Sequence, residues 1–245
     1  MAKSTTKVTE GTRTNKTGIA MSSHADQMRQ VPELTRPTPG NGGLKQAHAV
    51  YLKESHAVGT VPPPTTAKGA AKSAWQAIKG NKAMALVDRA SERLAFERTG
   101  VRLYTALLEK LDIGPSFEGG PTRDEVEIIR NEELQHALML AEALEYMGAD
   151  PTVMTPSADL VSVEGMGLGS VVMDPRTSVG QCLHAMMVAE LADGEGWTLL
   201  RTLADDMGQD ELSSRFSQAE QEEQRHLEQV RNWLLAHARA EAEIG

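Results

Sequence analysis

Four stretches of this chain repeat apolar residues at alternating spacings of three and four, which is the period of an amphipathic helix. The first carries Leu86, Leu94, Glu97, Val101, Tyr104, Leu108 and Leu111 and is closed by Gly114-Pro115. The second opens at a capping-box sequence, Thr122-Arg-Asp-Glu125. It carries Val126, Ile129, Glu133, His136, Leu140, Leu144 and Met147 and stops near Gly148. The third opens at Ser178-Val-Gly-Gln181, runs through Val179, Cys182, Met186, Glu190, Asp193, Trp197, Leu200 and Leu203, and ends at Gly208. The fourth starts near Asp210 and carries Leu212, Phe216, Ala219, Glu223, His226, Val230 and Trp233. Each pattern predicts a helix of ~27–33 residues, about 40–50 Å long.

The loops after the first and third patterns are short, which predicts two antiparallel hairpins. Residues 149–176, rich in Val, Met and Gly, are long enough to run from one end of a bundle to the other. The expected fold is therefore all-α: a four-helix bundle over 83–241, two hairpins joined by a long crossover. Ahead of it, residues 1–66 are broken by Pro32, Pro37, Pro39, Pro62, Pro63, Pro64 and a Gly-Asn-Gly-Gly run. Residues 1–80 are expected to be a largely disordered extension, with short helices at most over 44–57 and 67–79.

The apolar stripes are interrupted by acids where leucine is expected. Two Glu-x-x-His motifs, Glu133-Leu-Gln-His136 and Glu223-Gln-Arg-His226, point inward, and Glu97 and Glu190 interrupt the other two stripes. Glu and His three apart share one helix face. Glu97 and Glu133 lie 36 residues apart, and Glu190 and Glu223 lie 33 apart, so the chain reads as a repeated half-site. Charges are almost never buried without a partner. Four inward glutamates and two histidines suit a pair of divalent ions, and the mixed carboxylate and imidazole donors suit iron or manganese. Both motifs are preceded by a further glutamate, Glu132 and Glu222. A metal-bound imidazole usually gives its other N–H to a carboxylate, so Glu132 is expected to hold His226 and Glu222 to hold His136. Tyr104 lies two turns beyond Glu97 as a hydrogen-bond donor, and Asp193, one turn after Glu190, is a further carboxylate at the site. His184 lies off the stripe and reads as surface.

The 12 methionines and 4% aromatic content fit a helical core. Cys182 is the single cysteine, which excludes an internal disulfide, a zinc ribbon and a rubredoxin-type centre. No apolar run of membrane-spanning length and no secretory leader is seen, so the expectation is a cytoplasmic protein. The net charge of −9 conceals an asymmetry. Residues 1–82 hold 12 Lys/Arg against 4 Asp/Glu, and residues 83–245 hold 13 against 30. The basic arm is compatible with salt-sensitive nucleic-acid binding, though a solubilising tail explains it more simply.

The motif set resembles the ferritin-like diiron-carboxylate superfamily, nearest in pattern to rubrerythrin and bacterioferritin, over about residues 83–241. The resemblance implies metal ligation by Glu97, Glu133, His136, Glu190, Glu223 and His226. It implies two iron ions, with manganese as the alternative, and reaction with O2 or H2O2 as a ferroxidase or a peroxide scavenger. It also implies an external electron donor and a homo-oligomer. A dimanganese catalase-like or diiron oxygenase activity is the alternative within enzymes. A stress-related sequestration protein with a structural metal and a partner-binding arm is the alternative outside them. Leu134 stands where bacterioferritin has a haem-ligating methionine, so no haem is expected. The cysteines of rubrerythrin's iron domain are lacking, and Asp193 is one methylene shorter than the corresponding rubrerythrin glutamate.

Overall fold

The computed structural model describes residues 81–114 and 116–242, together with Gln46, Ala49, Val50, Lys53 and Glu54. The chain divides into compact units 1–56 and 57–245. The five described residues of the first unit are helical; the remainder of the expected N-terminal extension, including 67–79, lies outside the described residues.

The second unit contains five helices in order: α1 Asn81–Ile113, α2 Arg123–Tyr146, α3 Pro156–Val172, α4 Val179–Asp206 and α5 Asp210–Glu241. No strand occurs among the described residues. Local chemistry sets the boundaries. At α2, Thr122 Oγ1 accepts from the Glu125 amide at 3.3 Å while the Glu125 carboxylate accepts from the Thr122 amide at 3.0 Å. Ser178 and Gln181 repeat this reciprocal cap at α4. Helices α2 and α4 end at Tyr146 and Asp206; one C-cap residue, Met147 or Met207, separates each from Gly148 or Gly208, and both glycines have positive φ, 83° and 62°. Side chains with a Cβ rarely adopt that conformation.

The expected crossover holds a 17-residue helix, α3, for which the sequence reading named no element. The sequence pattern hid it because its inward positions are small. Ser157, Ala158, Val161, Gly165, Gly169 and Val172 are buried, while Leu160, Val163 and Met166 face outward. A Cβ on Gly165 would already stand 3.3 Å from Thr99 Cγ2 of α1, so the small residue allows a close approach. Both ends of α3 are tied to α1. Asp88 accepts from the amide and hydroxyl of Ser157 at 3.0 and 2.6 Å, and Lys110 donates to the Asp174 and Thr177 carbonyls at 2.7 and 3.0 Å. Helix α3 therefore runs parallel to α1 and carries the chain from one end of the hairpin to the other. At 24 residues, α2 is also shorter than the pattern suggested.

The hairpins are α1 with α2 and α4 with α5. Helix α1 also packs on α3 and α4, α3 packs on α4, and α2 meets α5 sparingly. The apolar core is split in two. One cluster gathers Leu103, Leu107, Ile129, Leu183, Met186 and Val230; the other gathers Leu86, Leu94, Leu140, Leu144, Leu200 and Phe216. The carboxylates and imidazoles of the Glu-x-x-His motifs lie on the same helices, at positions between these two sets.

Candidate metal centre

All six expected ligands are buried. Glu97 and Glu223 are 0% exposed, Glu133 is 1%, and His136, Glu190 and His226 are 2%. Each comes from the inward stripe of its helix: Glu97 from α1, Glu133 and His136 from α2, Glu190 from α4, Glu223 and His226 from α5. Donor atoms of Glu133, Glu190, Glu223 and His226 all lie within 4.8 Å of one another, and so do those of Glu97, His136 and Glu223. The two groups share Glu223, which places it between two potential ion positions.

The donor atoms converge, and one hydrogen bond, between His226 Nδ1 and Glu223 Oε2, forms among them. His136 Nδ1 stands 2.7 Å from Glu223 Oε1 and 3.5 Å from Glu97 Oε2, and His226 Nδ1 stands 3.4 Å from Glu133 Oε1 and 3.1 Å from Glu223 Oε2. Yet Glu97 Oε2, Glu133 Oε2, Glu190 Oε2, Glu223 Oε1 and His136 Nδ1 are buried and have no hydrogen-bond partner among the described residues. An unsatisfied buried polar atom costs ~1–3 kcal/mol, more when charged. Five in one spot are what a set of metal ligands looks like, and the donor types fit two divalent ions.

The opposite edge of four of the six is held from outside the cluster. His226 donates Nε2–H to Glu132 at 2.7 Å and His136 donates Nε2–H to Glu222 at 2.8 Å, each across from one hairpin to the other. These bonds leave both Nδ1 atoms directed at the cluster. The exposed Arg225 lies 3.6 Å from Glu132 and 3.8 Å from Glu222. The Tyr104 hydroxyl donates to Glu190 Oε1. Trp197 donates its indole N–H to Glu97 Oε1 at 2.8 Å, and its ring meets His136 edge-on at a 5.5 Å centroid distance. Asp193, also within 4.8 Å of Glu97, Glu133 and Glu223, pairs with buried Arg93 at 2.5 Å.

Sequence reasoning placed Trp197 on the stripe without a role at the site, and it did not single out Arg93. The signal for Trp197 was its spacing, seven residues beyond Glu190 as Tyr104 is seven beyond Glu97. Arg93 lies one turn before Glu97 on the same face. His184 is exposed.

Protons take up the charge of the metal-free cluster. Burial pulls the His136 imidazole down, but the carboxylates of Glu223 and Glu97 outweigh it and raise it to about 11. His226 is likewise raised, burial being overcome by Glu132, Glu133 and Glu223. Burial and then the Glu223 charge push Glu190 up to about 8, and burial with Glu223 and Glu97 holds Glu133 well above its usual range. Glu223 itself falls to about 2, because the neighbouring His136 and His226 imidazoles outweigh its burial. Burial and then the Glu190 and Glu133 charges keep the Tyr104 phenol protonated. A chelating site in which ions replace bound protons has this character.

No protein-family model, curated protein or solved structure matches the chain. Among the described residues no helix is long and apolar enough to cross a membrane.

Proposed function

We propose that residues 83–241 form a ferritin-like four-helix bundle, with α3 as its crossover helix, and that its buried cluster binds two divalent metal ions, iron first among them. The protein would then act as a diiron oxidoreductase on O2 or H2O2, in iron oxidation or peroxide removal. The observation that carries this reading is the set of buried, unpartnered donor atoms on four helices. Two hairpins joined by a long crossover support the bundle assignment.

In this reading one ion lies among Glu97, His136 and Glu223, and the other among Glu133, Glu190, Glu223 and His226. Two ferrous ions would supply the two electrons that reduce O2 to H2O2 or H2O2 to water, and an external donor would return them. The residues around them keep the geometry. Glu132 and Glu222 fix the imidazole tautomers, and Tyr104 and Trp197 each hold one oxygen of a glutamate while the other oxygen faces inward. The two apolar clusters keep bulk water from the ends of the site.

The test is metal content by mass spectrometry on protein purified without a chelating tag, followed by anaerobic Fe(II) loading and exposure to each oxidant. Two irons per chain and a near-ultraviolet ferric absorption are expected, and the faster oxidant distinguishes ferroxidase from peroxidase chemistry. Failure to take up two ions of iron, manganese or zinc would overturn the reading.

A further inference from the structure

Helices α1 and α4 hold matching places in their hairpins. Adding 93 to a residue of α1 gives its counterpart on α4, so Glu97 and Tyr104 correspond to Glu190 and Trp197. Four differences between counterparts converge on one contact. Arg93 corresponds to Met186, Phe96 to Ala189, Gly100 to Asp193 and Leu103 to Gly196. Arg93 and Asp193 are partners, and Phe96 and Gly196 make the place for the arginine. Its guanidinium carbon lies 4.5 Å from the Phe96 ring centroid, and a Cβ on Gly196 would overlap the guanidinium. Gly196 lies inside α4, where glycine weakens a helix. Gly100 leaves its own space to the Glu133 carboxylate, which a Cβ there would overlap.

Arg93, 2% exposed, donates from Nη1 to the Asp193 carboxylate at 2.5 Å and to the Asp193 main-chain carbonyl at 3.2 Å. One nitrogen therefore grips side chain and backbone of the same residue, which fixes how the carboxylate is turned. The other carboxylate near the guanidinium is Glu92, at 3.8 Å. No ion pair among the described residues joins Arg93 to any of the six ligands. Asp193 brings an oxygen within 4.8 Å of Glu97, Glu133 and Glu223. In the dimetal reading Glu97 belongs to one position, Glu133 to the other and Glu223 to both. A buried ion pair is a poor source of stability, because desolvation offsets its attraction. Stability alone gives no reason to build one here.

We infer that Arg93 is a positioning residue of the dimetal centre, holding Asp193 as a carboxylate common to both metal positions. The inference rests on the dimetal reading above. Arg93 pairs with no ligand and acts through Asp193 alone. Its grip keeps the Asp193 carboxylate beside the shared Glu223, where it borders one ligand of each position. Its charge offsets that of Asp193, so the four glutamates are left to balance two divalent ions. Both ions draw on the same fifth carboxylate.

The experiment is an anaerobic optical titration of the metal-free full-length protein with Co(II), run as a double-mutant cycle. The wild type is expected to take two ions. Asp193→Asn keeps the shape of the side chain and is expected to weaken both ions ~10–100-fold, the size of effect that metal-site partners have. Arg93→Met, which installs the residue of the α4 counterpart, should weaken both in the same way. Adding Arg93→Met to Asp193→Asn should cost nothing further, because the arginine acts only through the aspartate. The double variant also removes both charges together and so avoids a buried unpaired ion. A purely structural arginine would lower the melting temperature and leave both Co(II) affinities in place. Unchanged Co(II) affinities in Asp193→Asn, or a loss confined to one ion, would overturn the inference and leave the dimetal reading standing. So would a double variant of native circular dichroism that binds Co(II) more weakly than Asp193→Asn alone. No Co(II) uptake by the wild type would overturn both.

Discussion

Trp197 donates its indole N–H to Glu97 at 2.8 Å, on the helix opposite its own glutamate, Glu190. Tyr104 does the same in the other direction. Each α1 or α4 carboxylate thus depends on an aromatic side chain carried by the other hairpin, and correct docking of the hairpins is a condition of correct ligand geometry.

Trp197→Phe keeps an aromatic ring in the core but removes the donor. Metal affinity should fall ~10–100-fold by competition with a calibrated chelator. An affinity equal to wild type would show that Glu97 needs no such support.

Glu132→Ala and Glu222→Ala free His226 and His136 respectively. Each is expected to weaken metal binding by a similar ~10–100-fold. Because Arg225 approaches both carboxylates, Arg225→Ala should have a smaller effect than either. The order of the three affinities is the check.

Gly100→Ala sets two effects against each other. Alanine in a helix interior gains ~1 kcal/mol over glycine, whereas overpacking a core costs ~1–3 kcal/mol. The overlap with the Glu133 carboxylate favours the second, so the variant should melt lower than wild type and bind metal more weakly. A raised melting temperature would refute the close approach.

Metal-free and metal-loaded protein should respond to pH in opposite senses. Glu190 rises from an ordinary 4.5 to about 8, so its contribution is full below 4.5 and is lost as pH climbs through 8. His136 rises from 6.5 to about 11, so its contribution is full below 6.5 and is lost on the way to 11. Both make the metal-free fold less stable between pH 6 and 9, while fewer competing protons strengthen metal binding over the same range. Thermal melts of the two forms across that range are the measurement, and the stabilisation by metal should widen with pH.

The four long helices and the inward direction of the six ligands could be read from the sequence because large apolar residues and charged ones share the same stripes. Thr122 and Ser178 announced their helix starts for the same reason: capping is local. Helix α3 escaped because Gly165 and Gly169 carry its buried face while Leu160 and Val163 point outward, which inverts the usual signal. Arg93 escaped because an arginine reads as surface until Asp193, a hundred residues away, is brought beside it.

Helix α3, tied at Asp88 and Lys110 and pressed onto Thr99 through Gly165, gives the bundle a closed back along the seam of α1 and α4. On the opposite face, where α2 and α5 meet sparingly, the half-buried Glu132 and Glu222 stand between the imidazoles and the exposed Arg225. In the dimetal reading, an ion entering on this face would pass the same two carboxylates that steady the histidines.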